Sequence, residues 1–136
     1  MIIHFPIALV MLAAAAEGAA AAEGAAAATG DRRWRIVAVI NLRAGAAFAV
    51  AAVIAGWRLA SAPGVDPTTL LEWHRWLGAI AAVLTVATAM ATSRVERLSF
   101  RDLAIYRLAL FCAATCVAVT GHVGGLLVWG ADFLRP

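Results

Sequence analysis

The sequence predicts an all-α integral membrane protein, an antiparallel up-down bundle of four transmembrane helices. Three observations carry that expectation. Apolar residues make up 64% of the chain and mean hydropathy is +0.88, well above the roughly 45–50% apolar content of soluble globular chains. Four stretches, 5–29, 34–60, 70–93 and 100–128, each supply the about 20 mostly apolar residues that a bilayer crossing needs. The connections between them are short, which makes consecutive spans antiparallel, and residues 1–136 are read as a single four-helix transmembrane domain.

The boundaries of each span carry the chemistry of helix ends. Pro6 suits the first turn of the first helix, where a missing N–H costs nothing, and Gly30 suits its C-terminal cap. The stretch "SAPGVDPTT" is a loop of helix breakers before the third span. Thr69 with Glu72 and Ser99 with Asp102 read as capping boxes that start the third and fourth spans. A cleavable signal peptide is the competing reading of the first run, but such a peptide carries positive charge ahead of its apolar core and none stands there.

Charge placement gives the orientation. All eleven basic residues are arginine, and the pI of 9.7 does not signal nucleic-acid binding, because the arginines separate apolar runs instead of lining one amphipathic face. Arg32, Arg33 and Arg35 occupy the first connection and Arg94, Arg97 and Arg101 the third, while the second has almost none before Arg75. Positively charged short loops stay on the cytoplasmic side. The expected location is therefore a bacterial inner membrane with both termini periplasmic. Trp57, Trp73, Trp76 and Trp129 then fall at outer span ends and Trp34 at an inner one, as an interfacial aromatic belt does. Some of these rings are also candidates to wall a cofactor.

Two acids interrupt the first span, Glu17 and Glu23 in "AAAAEGAAAAEGAAAA". An unpaired charge in the hydrocarbon is expensive, so partners are expected. Counting ~1.5 Å per residue from the inner ends pairs Glu17 with Arg43 and Glu23 with Arg107 by depth. Fixing bundle register by these pairs is preferred over a proton path, since an arginine is available at each depth. The abundance of alanine and glycine favours close packing between helices. Cys112 and Cys116 read as small apolar filler, because i, i+4 positions in an intact helix bridge poorly. Asn41 and Tyr106 lie near inner ends without a distinguishing pattern.

The chemistry-bearing residues are three histidines. Up-down topology brings His4 at the start of the first span, His74 in "LLEWHRWLG" at the start of the third and His122 in "TGHVGGLLVWG" at the end of the fourth to one membrane face. Neutral imidazole ligates haem iron and other metals, and bundles build such sites from side chains on facing helices. With the first and third helices diagonal in the ring, His4 and His74 are placed to approach a flat macrocycle from opposite sides. His122 would stand beside it as a third ligand, a hydrogen-bond donor or a supporting residue. Gly121, Gly124 and Gly125 leave room around His122, and Arg58 and Arg75 are placed to neutralise propionates. Three interfacial histidines bonded to headgroups or loop carbonyls are the bland alternative. Cys-x-x-Cys-His, His-Glu-x-x-His and glycine-rich phosphate loops are all absent, so neither covalent haem attachment nor a catalytic signature is present.

Together "HFPIAL", "WHRWLG" and "TGHVGGLLVWGADFL" resemble a family of four-span bacterial membrane proteins catalogued only as a domain of unknown function. The resemblance covers essentially the whole chain, and one branch of that family is fused to c-type cytochrome domains. It implies a place in electron transfer, with His4 and His74 as principal ligands and His122 as helper. It departs from the family in the short lead before "HFP". Three functional expectations follow. The first is an electron-transfer subunit holding haem b near the outer face, exchanging electrons between quinol or a redox partner and a periplasmic c-type cytochrome. The second is a cofactor-free assembly subunit that docks on other membrane subunits. The third is zinc or copper bound by the three imidazoles.

Overall fold

The computed structural model describes residues 4–26, 32–93 and 100–130, with side chains described from Pro6 to Ala21, from Arg33 to Ser93 and from Phe100 to Gly130. Four helices follow one another: α1 His4–Ala26, α2 Arg32–Ala60, α3 Thr69–Ala91 and α4 Phe100–Trp129. At about 1.5 Å per residue, the 23 residues of α1 and α3 and the longer α2 and α4 all reach across a hydrocarbon core of about 30 Å. The described parts of α2, α3 and α4 are long and apolar enough to span a membrane, and Pro6–Ala21 of α1 forms a shorter apolar helix. No strand occurs among the described residues.

Each helix packs on its sequence neighbour, and α1 closes the ring against α4. The chain therefore forms an antiparallel four-helix bundle in which α1 and α3 are diagonal. Its terminal end gathers the starts of α1 and α3 and the ends of α2 and α4. Its opposite, arginine end holds the other helix termini.

Two boundaries have clear local causes. Thr68, one residue earlier than expected, caps α3 from extended backbone, its hydroxyl accepting from the N–H of Leu71 at 3.2 Å. The expected box of Thr69 with Glu72 does not form, and Glu72 instead closes the first turn by donating its N–H to the Thr68 carbonyl at 3.0 Å. At the far end of α4, Gly130 adopts φ +77°, and its N–H donates to the carbonyl of Leu126 at 2.9 Å. A left-handed residue after the last turn is a common helix stop that glycine adopts without strain. The expected cap at Gly30 and the box at Ser99 lie outside the described residues.

The core is built from small residues. Val10, Ala13 and Ala14 of α1, Leu42 of α2, Ala81 of α3 and Leu110, Ala114 and Val117 of α4 form one buried cluster. Alanine lets helix backbones approach, which replaces the hydrophobic drive that lipid removes. Helices α1 and α2 approach closely at Gly45, where a Cβ would lie 2.9 Å from Cγ2 of Val10. Buried hydroxyls of Thr85 and Thr88 donate to carbonyls one turn back, at 2.7 Å each, so no polar group is stranded there. Large apolar side chains such as Val83, Met90, Leu108 and Val128 point outward. That inversion of the soluble pattern suits a surface that meets lipid chains.

The intramembrane ion pairs differ from those expected by depth. Glu17 is fully buried and accepts from Nε of Arg107 at 2.8 Å, with Nη2 of Arg35 3.7 Å away. Arg43, its expected partner, instead donates from Nε to the hydroxyl of Thr92 at 3.0 Å. Axial counting fails because α1 and α2 pack with Gly45 against Leu9 and Val10, a register that offsets Arg43 from Glu17, and because a long arginine side chain lets Arg35 reach toward the carboxylate. Arg107 is therefore engaged by Glu17, and the side chain of Glu23, to which it had been matched, lies outside the described residues.

Candidate functional site

At the terminal end, the four helices diverge around a cleft of about 130 Å³. Pro6 and Ile7 of α1, Trp57 of α2, His74 and Arg75 of α3 and Thr120 of α4 contribute to its wall, and the remainder is glycine, alanine, valine and leucine. An apolar cleft with a few converging polar groups is the usual form of a ligand site.

His74 is the best-defined of these groups. Its Nδ1 lies 3.2 Å from the carbonyl oxygen of Thr120. A carbonyl can only accept, so Nδ1 carries the proton, and in the neutral ring the lone pair is on Nε2. Imidazoles that bind metal are commonly oriented in this way, with the other ring nitrogen donating to a carbonyl. The ring is seated against α4 at Gly124, where a Cβ would lie 2.8 Å from Cε1 and 3.4 Å from Nδ1. Thr120 and Gly124 are one turn apart on the same face of α4, so one helix supplies both the acceptor and the space.

Arg75 and Trp57 form the opposite wall. The guanidinium of Arg75 lies 4.0 Å from the Trp57 ring centroid, a cation–π contact. Trp76 meets Trp57 edge to face at 5.5 Å. Nε of Arg75 is buried without a hydrogen-bond partner. Trp57 is thus both a cleft wall and a packing partner, while Trp73, Trp76 and Trp129 remain largely exposed, as interfacial anchors are.

The remaining candidates fall differently. His122 is exposed and does not line the cleft. It stands two residues after Thr120, about 200° around the helix, and therefore faces away from His74. Arg58 is exposed in the last turn of α2 and also lies outside the cleft lining. His4 begins α1, two residues before the cleft residue Pro6, but its side chain lies outside the described residues. Among the described residues no three His, Cys, Asp or Glu side chains come together as a metal site would require.

The glycines near His122 serve the chain itself. Gly124 houses the His74 ring and Gly121 accommodates Ile7, whose Cδ1 would be 3.2 Å from an added Cβ, whereas nothing lies within 4 Å at Gly125. Sequence reasoning missed the Thr120 carbonyl, since a backbone acceptor leaves no trace in residue identity. The i, i+4 pairing of Thr120 with Gly124 was the available signal. Cys112 and Cys116 are free thiols on α4, the second packed against the core.

A family model described as "Predicted membrane protein (DUF2231)" matches residues 1–133. No curated protein matches the chain, and no solved structure matches it.

Proposed function

The chain belongs to the DUF2231 family of membrane proteins, and from that premise we propose that it is an electron-transfer subunit that binds haem b at the terminal end of its bundle. The observation that carries the reading is the presentation of His74, with Nδ1–H donated to the Thr120 carbonyl and Nε2 left with its lone pair. The residues present fit the group: an imidazole ligand, mostly apolar walls, and the unpartnered Nε of Arg75 for a propionate. His4, at the start of the diagonal helix, is the second ligand in this reading. Arg58 and His122, on the surface of the same end, belong to the approach of a partner.

His74 and His4 would hold the haem, which when bound would supply one-electron transfer. The protein's part is to hold His74 in one tautomer, to exclude water with the small-residue walls and to balance propionate charge with Arg75. The arginine distribution favours a cytoplasmic arginine end, with both termini on the periplasmic side of an inner membrane. The site then faces a periplasmic c-type cytochrome or an adjoining membrane subunit, with quinol or a partner redox centre at the other end of the transfer.

A second reading, a cofactor-free assembly subunit, draws on a different observation. Gly124 and Gly121 are occupied by the chain's own His74 and Ile7, so the space those glycines leave on α4 is already filled by the protein. A reduced-minus-oxidised absorption spectrum of the detergent-purified chain separates the two. A b-type difference band that disappears in His74→Ala supports haem. Absence of any Soret absorption after reconstitution with haemin sinks it, and zinc or copper found by metal analysis would turn the reading to a histidine metal site.

A further inference from the structure

The ion pair at the arginine end contains more cation than its carboxylate uses. One oxygen of the fully buried Glu17 accepts from Arg107, while Arg35 stands 3.7 Å off, beyond hydrogen-bonding reach. Nε of Arg35 is buried and has no hydrogen-bond partner. The hydroxyl of Tyr106, a residue 2% exposed, is also unpartnered and lies within electrostatic range of Glu17, Arg35 and Arg107. Two guanidinium groups against one carboxylate leave a unit positive charge between α1, α2 and α4. Both remain reachable, with 31% of the Arg35 side chain and 26% of that of Arg107 exposed.

The sequence carries the same imbalance at this end. Eight of the eleven arginines but only five of the eight carboxylates fall between Glu17 and Arg43 or between Arg94 and Arg107. The chain's whole surplus of +3 therefore belongs to this end of the sequence pattern. Arg43 is engaged by the neutral hydroxyl of Thr92, which adds no negative charge.

We propose that Arg35 and Arg107, reaching α1 from its two neighbouring helices, bind the phosphate of an anionic phospholipid. A phosphate presents several acceptor oxygens, which suits guanidinium donors not consumed by Glu17. Basic pockets between membrane helices bind acidic headgroups in this way. Both arginines lie on membrane-spanning helices, so the ligand reaches them from the bilayer. Glu17 opposes the anion through its second, unpartnered oxygen and thereby sets the strength of the site.

The test is native mass spectrometry of the full chain in detergent, titrated with phosphatidylglycerol, phosphatidylcholine or inorganic phosphate. Phosphatidylglycerol is expected to be retained in preference to phosphatidylcholine, and Arg35→Gln to reduce that retention about five-fold, the weight of one arginine near an acidic headgroup. Glu17→Gln, which removes the opposing charge, is expected to increase retention. A purely structural ion pair predicts no such gain. Equal retention of the two lipids, or unchanged retention in Arg35→Gln, overturns the proposal. So does reduced retention in a Glu17→Gln variant that keeps wild-type helical circular dichroism, or binding of inorganic phosphate without retention of phosphatidylglycerol.

Discussion

Gly124 on α4 is the seat of the His74 ring on α3: a Cβ at that position would fall 2.8 Å from Cε1. The same ring is tied by Nδ1 to the carbonyl of Thr120, one turn earlier on α4. The orientation of the imidazole is therefore a property of the α3–α4 contact and not of α3 alone.

Gly124→Ala is expected to push the ring off its acceptor and to destabilise the bundle by about 1–3 kcal/mol, the usual cost of forcing extra volume into a packed contact. The drop should appear in the thermal midpoint of the detergent-solubilised protein. Gly125→Ala serves as the control, since its added Cβ meets nothing within 4 Å and alanine is the better helix former. Equal losses in the two variants would show that the seat has no special role.

His74 and His122 should separate cleanly in the absorption spectrum. His74 lines the cleft, whereas His122 is exposed on another face of α4. The proposed b-type difference band is expected to vanish in His74→Ala and to persist in His122→Ala. A band lost with His122 and kept without His74 would place the cofactor outside the cleft.

Apolar content and length exposed the four helices because a span must be long and apolar whatever it packs against. The gathering of helix ends followed from short connections. Which side chains meet was less legible. His74 and His122 are both near helix ends at the same end of the bundle, yet 200° of helical rotation from Thr120 turns His122 away. Likewise counting from the inner ends pairs Glu17 with Arg43, but Arg107 and the far-reaching Arg35 are the residues that face the carboxylate. Rotation about each helix axis is set by packing of residues such as Gly45 against Val10, and a chain of near-uniform alanine carries little amphipathic signal to reveal it.

Glu17 and Arg43 consequently should not behave as partners. Glu17→Ala leaves Arg107 without its carboxylate inside the bundle, and breaking such a buried pair costs about 3–5 kcal/mol. Arg43→Ala removes only the bond to Thr92, worth about 0.5–1.5 kcal/mol for an ordinary hydrogen bond and somewhat more for a charged donor. Unfolding of each variant and of the double variant measures this, and additive losses are the expected outcome. Strong coupling between the two sites would restore the pairing by depth.

Gly45 and Val10 should couple instead. Val10 is fully buried and β-branched, so its side chain has little rotamer freedom with which to yield. A Cβ at Gly45 would meet its Cγ2 at 2.9 Å and the Cβ of Leu9 at 3.4 Å, which forces α1 away from α2. Gly45→Ala alone is expected to cost about 1–3 kcal/mol by overpacking, and Val10→Ala alone about 2–4 kcal/mol by the cavity it leaves. In the double variant the new methyl group occupies part of that cavity, so the combined loss should fall short of the sum by about 1 kcal/mol or more. Additivity within experimental error would mean that the α1–α2 contact is not closed at this pair. The same cycle would then have to be run at Gly121 and Ile7, where the corresponding distance is 3.2 Å and α4 rather than α2 sets the position of α1 at the cleft.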